Sequence, residues 1–214
     1  MIAVYILGAL IFYAAVCIVY NIYSESEIAF PKRIFLSEKT AITAAAIGAV
    51  LSSAALYISR NDIPMYSQVF YWIVLIILSD IAIIDLKRKI IPNKFVLSLL
   101  GCWAVYVVFI MIYDLGVAIE IALTSLSGMV FALIVFGAGY LLMKSKLGGG
   151  DVKLMIVLGF VFTGKAVFGV IMYSLIFSLL FALGAVISGK MKMKDSIPFA
   201  PFILLGSIAA VALY

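Results

Sequence analysis

The 214-residue chain is 67% hydrophobic and 12% charged, has a formal net charge of +5 and contains no histidine. A soluble domain is about 45–50% apolar and about 25% charged, so most of this chain must sit in lipid. Without histidine, Ser-His-Asp and Cys-His nucleophiles and histidine-held metals are excluded together.

A membrane-spanning helix needs about 20 mostly apolar residues. The first candidate, 2–23, has no basic leader region and no small-residue cleavage site, and is read as a retained helix rather than a signal peptide. The polar-leaning stretch Ser24 to Lys39 follows as a loop, and further spans are predicted near 40–59, 66–84, 95–113 and 116–143. The last of these exceeds the hydrocarbon thickness and must tilt or extend beyond it. Leu154 to Phe162 is apolar but too short to cross alone at about 1.5 Å per residue, so a short or irregular helix is expected there. Spans near 166–188 and 197–213 complete the chain. The expected fold is an all-α polytopic bundle of seven or eight membrane segments forming one domain over 1–214, divided into N-terminal helices (1–65) and the remainder (66–214).

With the amino terminus outside, the connections at 24–39, 85–94, 144–153 and 189–196 face the cytoplasm. Thirteen of the fifteen lysines and arginines then lie inside, leaving only Arg60 and Lys165 outside, as the positive-inside rule requires. The basic clusters, lacking interleaved aromatic residues, point to lipid headgroups rather than nucleic acid. Cys17 and Cys102 fall inside apolar runs, so neither a disulfide scaffold nor a structural zinc is expected, and no metal site is predicted. Ala44-x-x-x-Gly48, Gly128, Gly137 and Gly139 are candidate surfaces for close helix packing.

Acidic residues are few. Asp80 and Glu120 lie in apolar helices, Asp85 at a helix end, and Asp151 after a three-glycine run. Ionisable groups at such depths are costly and invite a functional reading. Each also has an ordinary one: Asp151 as a helix N-cap after a glycine turn, Asp85 as a surface partner of Lys87, Arg88 or Lys89. Between them the chain crosses the membrane twice, so both carboxylates are expected on the cytoplasmic face. Two carboxylates in a partly dry cleft can activate water, one ionised and taking its proton, the other protonated and polarising a carbonyl. Asp80 lies about 140° from Asp85 on an ideal helix, either tuning the site or making a buried polar contact between helices. Glu120 is expected to be structural.

The run Ile84-Asp85-Leu86-Lys87-Arg88-Lys89-Ile90-Ile91-Pro92-Asn93 resembles the first catalytic motif of type IV prepilin peptidases, an Asp followed after six residues by Pro-Asn. Gly148-Gly149-Gly150-Asp151-Val152-Lys153-Leu154 is similar to their second motif, Gly-x-Gly-Asp with a trailing Lys-Leu, and Ile197-Pro198-Phe199-Ala200-Pro201-Phe202 to the start of their final helix. The resemblance covers roughly 66–214. It implies a membrane aspartyl endopeptidase, with Asp85 and Asp151 catalytic, that removes short basic leaders from prepilins or pseudopilins at the cytoplasmic membrane of a prokaryote. Two-function members of the family also methylate the new amino terminus with S-adenosylmethionine and carry a cysteine-bearing domain between the first two helices, where this chain has only Ser24 to Lys39. The resemblance implies that the peptidase itself requires no cofactor. A presenilin-like or signal-peptide-peptidase-like protease, which shares Gly-x-Gly-Asp, and a small transporter using Asp80 and Glu120 are the alternatives.

Helix ends suggest roles within the pair. Asp85 near a helix carboxyl end is expected to hold the proton, and Asp151 before a helix amino end, with Lys153 nearby, to be the ionised base. The glycines put Asp151 on mobile backbone, so closure is expected to accompany substrate binding. Pro92 and Asn93 are expected to stop one element and start the next, with Asn93 as a cap.

Overall fold

The computed structural model describes residues 2–25, 38–142, 148–189, 191 and 196–213. Every long element among them is a helix: α1 (Ile2–Glu25), α2 (Glu38–Ile58), α3 (Met65–Arg88), α4 (Asn93–Tyr113), α5 (Leu115–Leu142), α6 (Gly149–Val161), α7 (Lys165–Ile187) and α8 (Ala200–Ala212). The expected all-α bundle is what forms, with each predicted segment recovered. Most of the expected 24–39 loop lies outside the described residues, as do Lys144, Lys146, Lys190, Lys192 and Lys194.

Among the described residues four helices are both long and apolar enough to cross a membrane: α3, α4, α5 and α7 from Ala166. Their outward faces explain why. Leu97, Val105, Ile112 and Leu141 are each more than two-thirds exposed, amid many similar residues on α4, α5 and α7. A monomer in water does not carry so continuous an apolar exterior. The last segment differs from expectation: α8 runs for 13 residues, about 20 Å, instead of filling 197–213. Pro198 and Pro201 account for its late start, because proline is accepted in the first helical turn and interrupts the ladder farther in.

α3 is the central helix. It packs against α1, α2, α4 and α8, and α8 also lies along α7, while α6 fits between α4 and α5. The buried core runs through these neighbours, from Val74, Leu75, Leu78 and Ile81 to Leu154, Leu158, Ile203 and Val211. Gly128 and Gly159 face each other across α5 and α6; a Cβ on Gly159 would lie 2.6 Å from the Gly128 carbonyl oxygen and 2.7 Å from Met129 Cα. Gly128 is thus a packing residue as expected. Gly48 and Gly137 are not close-approach points: a side chain on the first would make ordinary contact with Ser79 Oγ at 3.6 Å, and on the second would meet only Leu133 of its own helix.

α3 and α6, with the segments flanking them, touch at two places. Tyr71 stacks on Phe162 with ring centroids 5.5 Å apart. At the opposite end Gly150 faces Ile91 so closely that a Cβ would stand 3.1 Å from Ile91 Cβ. Asp85 and Asp151 lie near that second contact.

Candidate active site

Asp85 lies in the last turn of α3, which continues to Arg88, farther than the hydrophobic run alone predicts. The helix stops at Lys89, the one non-glycine among the described residues with a left-handed backbone (φ 52°, ψ 40°). The Lys89 N–H donates to the Asp85 carbonyl oxygen at 2.8 Å, closing the helix end. Pro92 then occupies the cap position of α4 in an extended conformation, and Asn93 is the first helical residue with no side-chain cap bond formed there. This corrects the expectation that Asn93 caps: Pro92 already sets the entry angle, and Asn93 faces solvent.

The glycine run also behaves differently from expectation. Gly148 is the cap of α6, while Gly149 and Gly150 are helical and Asp151 sits within the first turn instead of ahead of it. Two of the three glycines are crowded: Gly150 makes room for Ile91, and a Cβ on Gly148 would lie 2.7 Å from Asp151 Oδ2, whereas Gly149 has nothing within 4 Å. The contact between Gly150 and Ile91 joins the segment following Asp85 to the segment preceding Asp151.

Asp85 is buried, 5% exposed. Its Oδ2 accepts a hydrogen bond from the Ala200 backbone N–H at 3.0 Å. Ala200 opens α8, so the first turn of that helix points its free N–H groups, the positive end of the helix dipole, at the carboxylate. Sequence reasoning considered only Asp85's own helix, whose carboxyl end disfavours charge. The amino end of α8 biases Asp85 the other way, so the two helix ends act on this carboxylate in opposite directions. The signal was available in the two prolines around Ala200, which mark a helix start on the same membrane side as Asp85.

Asp151 is half-buried at the rim. Burial pushes its carboxyl up to about 6, the Asp85 charge adds to the rise, and a backbone hydrogen bond from Gly148 acts against it. Lys153 does not reinforce the site as expected: two residues beyond Asp151 it is about 200° round the helix, and it is exposed. Asp80 is buried in α3, 4% exposed. Glu120 is exposed on α5.

A cavity of about 270 Å³ borders the Asp85 end of α3, lined by Leu86, Lys89, Phe181, Pro198, Pro201 and Phe202 among others. Its walls are mostly apolar. Among the described residues no cluster of three His, Cys, Asp or Glu side chains could hold a metal ion. Cys17 and Cys102 lie in α1 and α4, so the described residues contain no counterpart of the cysteine-bearing domain associated with S-adenosylmethionine-dependent methylation.

The Asp151 environment has a measurable consequence. Its folded pKa lies above the unfolded value of about 3.9, so the protonated form favours folding; that contribution is full below about pH 4 and is lost as pH rises through about 6. Thermal unfolding in detergent is therefore expected to show a melting temperature that falls between those limits more steeply for the native chain than for Asp151→Asn. Parallel curves would contradict the burial of this carboxylate.

Compared with known proteins, residues 69–214 match the model of the type IV leader peptidase family. A 63-residue stretch is 40% identical to the prepilin leader peptidase/N-methyltransferase of Bacillus subtilis (strain 168), covering 29% of this chain and 25% of that relative. The match thus spans about a quarter of that relative's length. No solved structure matches.

Proposed function

Because the chain belongs to the type IV leader peptidase family, we propose that it is a membrane aspartyl endopeptidase that removes the leader from prepilins or pilin-like proteins at the cytoplasmic face. Asp85 and Asp151 activate the attacking water. The observation that carries this reading is the meeting of the three motif segments at one end of the bundle: Ala200 N–H on Asp85 Oδ2 at 3.0 Å, and Gly150 against Ile91.

In the proposed mechanism Asp85, facing the N–H groups of α8, is the ionised base. It takes a proton from water while Asp151, whose carboxyl is pushed up to about 6, donates a hydrogen bond to the scissile carbonyl. The hydroxide equivalent adds to the carbonyl carbon. The tetrahedral intermediate then collapses as the proton held by Asp85 passes to the leaving amine, which becomes the new amino terminus. The two carboxylates titrate as a pair, so these roles describe the productive microstate.

The apolar cavity beside Leu86 and Phe181 supports a substrate lying partly in the bilayer. The same geometry favours leader cleavage over transport, since the convergence involves Asp85 and leaves Glu120 outside it. Against a presenilin-like protease stands the Asp85-x6-Pro92-Asn93 run, which forms the turn that meets Gly150.

The test is incubation of the purified chain in detergent with a prepilin, a pseudopilin and a transmembrane signal peptide, with products located by mass spectrometry. Cleavage at one bond between leader and mature segment of a pilin-like substrate is expected. No cleavage, or cleavage of the signal peptide alone, overturns the proposal. With S-adenosylmethionine added, the new amino terminus is expected to remain unmethylated, and a mass gain of one methyl group would contradict that.

A further inference from the structure

We propose that Lys89 is a positioning residue of this site, tethering the first turn of α8 so that its N–H groups stay aimed at Asp85. For its catalytic consequence this rests on the leader peptidase reading above.

Lys89 stands where helices usually place glycine, because a left-handed backbone crowds any Cβ. A lysine at such a position is favoured only if its side chain does something a glycine cannot. Here Nζ donates a hydrogen bond at 2.7 Å to the carbonyl oxygen of Ser196, 107 residues away in sequence. Ser196 precedes α8 by four residues, and Pro198 between them restricts the backbone that links the Ser196 carbonyl to the Ala200 N–H. Fixing the carbonyl therefore limits where that N–H can point.

The contacts form a closed ring. The main-chain N–H of Lys89 donates to the Asp85 carbonyl oxygen at 2.8 Å, its ammonium grips Ser196, and Ala200 returns to Asp85 Oδ2 at 3.0 Å. Backbone and side chain of one aspartate are thus tied, by separate routes, to one lysine. Lys89 and Ser196 both line the mostly apolar cavity beside Leu86 and Pro198.

An ordinary role in membrane orientation would be served by Lys87 and Arg88 and asks neither for the strained backbone nor for a distant partner. The Lys89 bond to Ser196 is exposed to solvent. Such contacts add little to global stability, so its consequence belongs in the geometry of the site rather than in the survival of the fold.

The test compares the native chain with Lys89→Arg, Lys89→Gly and Lys89→Met in lipid nanodiscs. Steady-state cleavage of a prepilin is read alongside hydrogen exchange at the Ala200 amide and thermal unfolding. Lys89→Gly and Lys89→Met are expected to lower kcat about tenfold, the scale of a small misplacement of a catalytic group, with KM little changed. Exchange at Ala200 should speed up in both. Lys89→Gly should melt no lower than the native chain, since glycine suits the left-handed backbone, and Lys89→Arg should restore most of kcat and the slow exchange. Unchanged exchange in Lys89→Gly and Lys89→Met would overturn the proposal, as would an equal fall in kcat and melting temperature across all three variants. A native chain that cleaves no prepilin, while Lys89→Gly still speeds exchange at Ala200, would sink the functional reading and leave the tether standing.

Discussion

Replacing either Asp85 or Asp151 by asparagine is expected to reduce leader cleavage to background while leaving a folded membrane protein. Losing a general acid or base typically costs about 10²–10⁴-fold, and more where two groups act as one unit. The fold should survive for reasons specific to each position. An asparagine at 85 still presents an oxygen to the Ala200 N–H, so the bond that seats α8 against α3 persists. An asparagine at 151 removes a half-buried carboxyl whose charged form is disfavoured by burial and by Asp85, so the variant should be at least as stable at neutral pH. The double variant should cleave no more slowly than the worse single one. Single-turnover cleavage of a prepilin, with helix content checked by circular dichroism, measures both points, and an active single variant would remove the two-carboxylate mechanism.

Gly159→Val is expected to be the most damaging substitution away from the carboxylates. The new Cβ would meet the Gly128 carbonyl oxygen at 2.6 Å and Met129 Cα at 2.7 Å, both backbone atoms that no rotamer change can move aside. α5 and α6 would have to separate. Overpacking of this kind costs about 1–3 kcal/mol and sometimes more. Because α6 carries Asp151 in its first turn, activity should fall together with melting temperature. Gly137→Ala provides the contrast: a side chain there meets only Leu133 of its own helix, and alanine is the better helix former. That variant should be neutral or slightly stabilising. Equal melting temperatures for Gly159→Val and the native chain would show that the close approach of α5 and α6 is not what holds α6 in position.

Much of this architecture is legible in the sequence because the membrane makes the signal strong. Long apolar runs fix where α3, α4, α5 and α7 lie. Two even crossings between Asp85 and Asp151 bring those residues to one end of the bundle, and the structure joins their segments there through Gly150 and Ile91. What was not legible depends on contacts between distant segments. Gly148 to Gly150 read as a mobile turn because glycine permits many backbones; only the nearness of Ile91 and of the Asp151 carboxylate shows that Gly150 and Gly148 are also spaces left for neighbours. The roles within the pair were inferred from each aspartate's own helix. The electrostatics of Asp85 are also shaped by a third helix beginning 115 residues later. Lys89 read as one cation among several inside-facing ones, and its left-handed backbone and bond to Ser196 have no sequence signature. Asp80 is the reverse case: its burial was foreseen, while the described contacts assign it no part in the site.

The most direct measurement of the central claim is a cross-linking experiment on Asp85→Cys/Asp151→Cys, with Cys17 and Cys102 replaced by alanine, in sealed, oriented vesicles. The account predicts that a short thiol-to-thiol reagent links the two introduced cysteines within one chain, and that both react with a membrane-impermeant label from the same side. Labelling from opposite sides, or a pair that never links while each cysteine reacts singly, would contradict it.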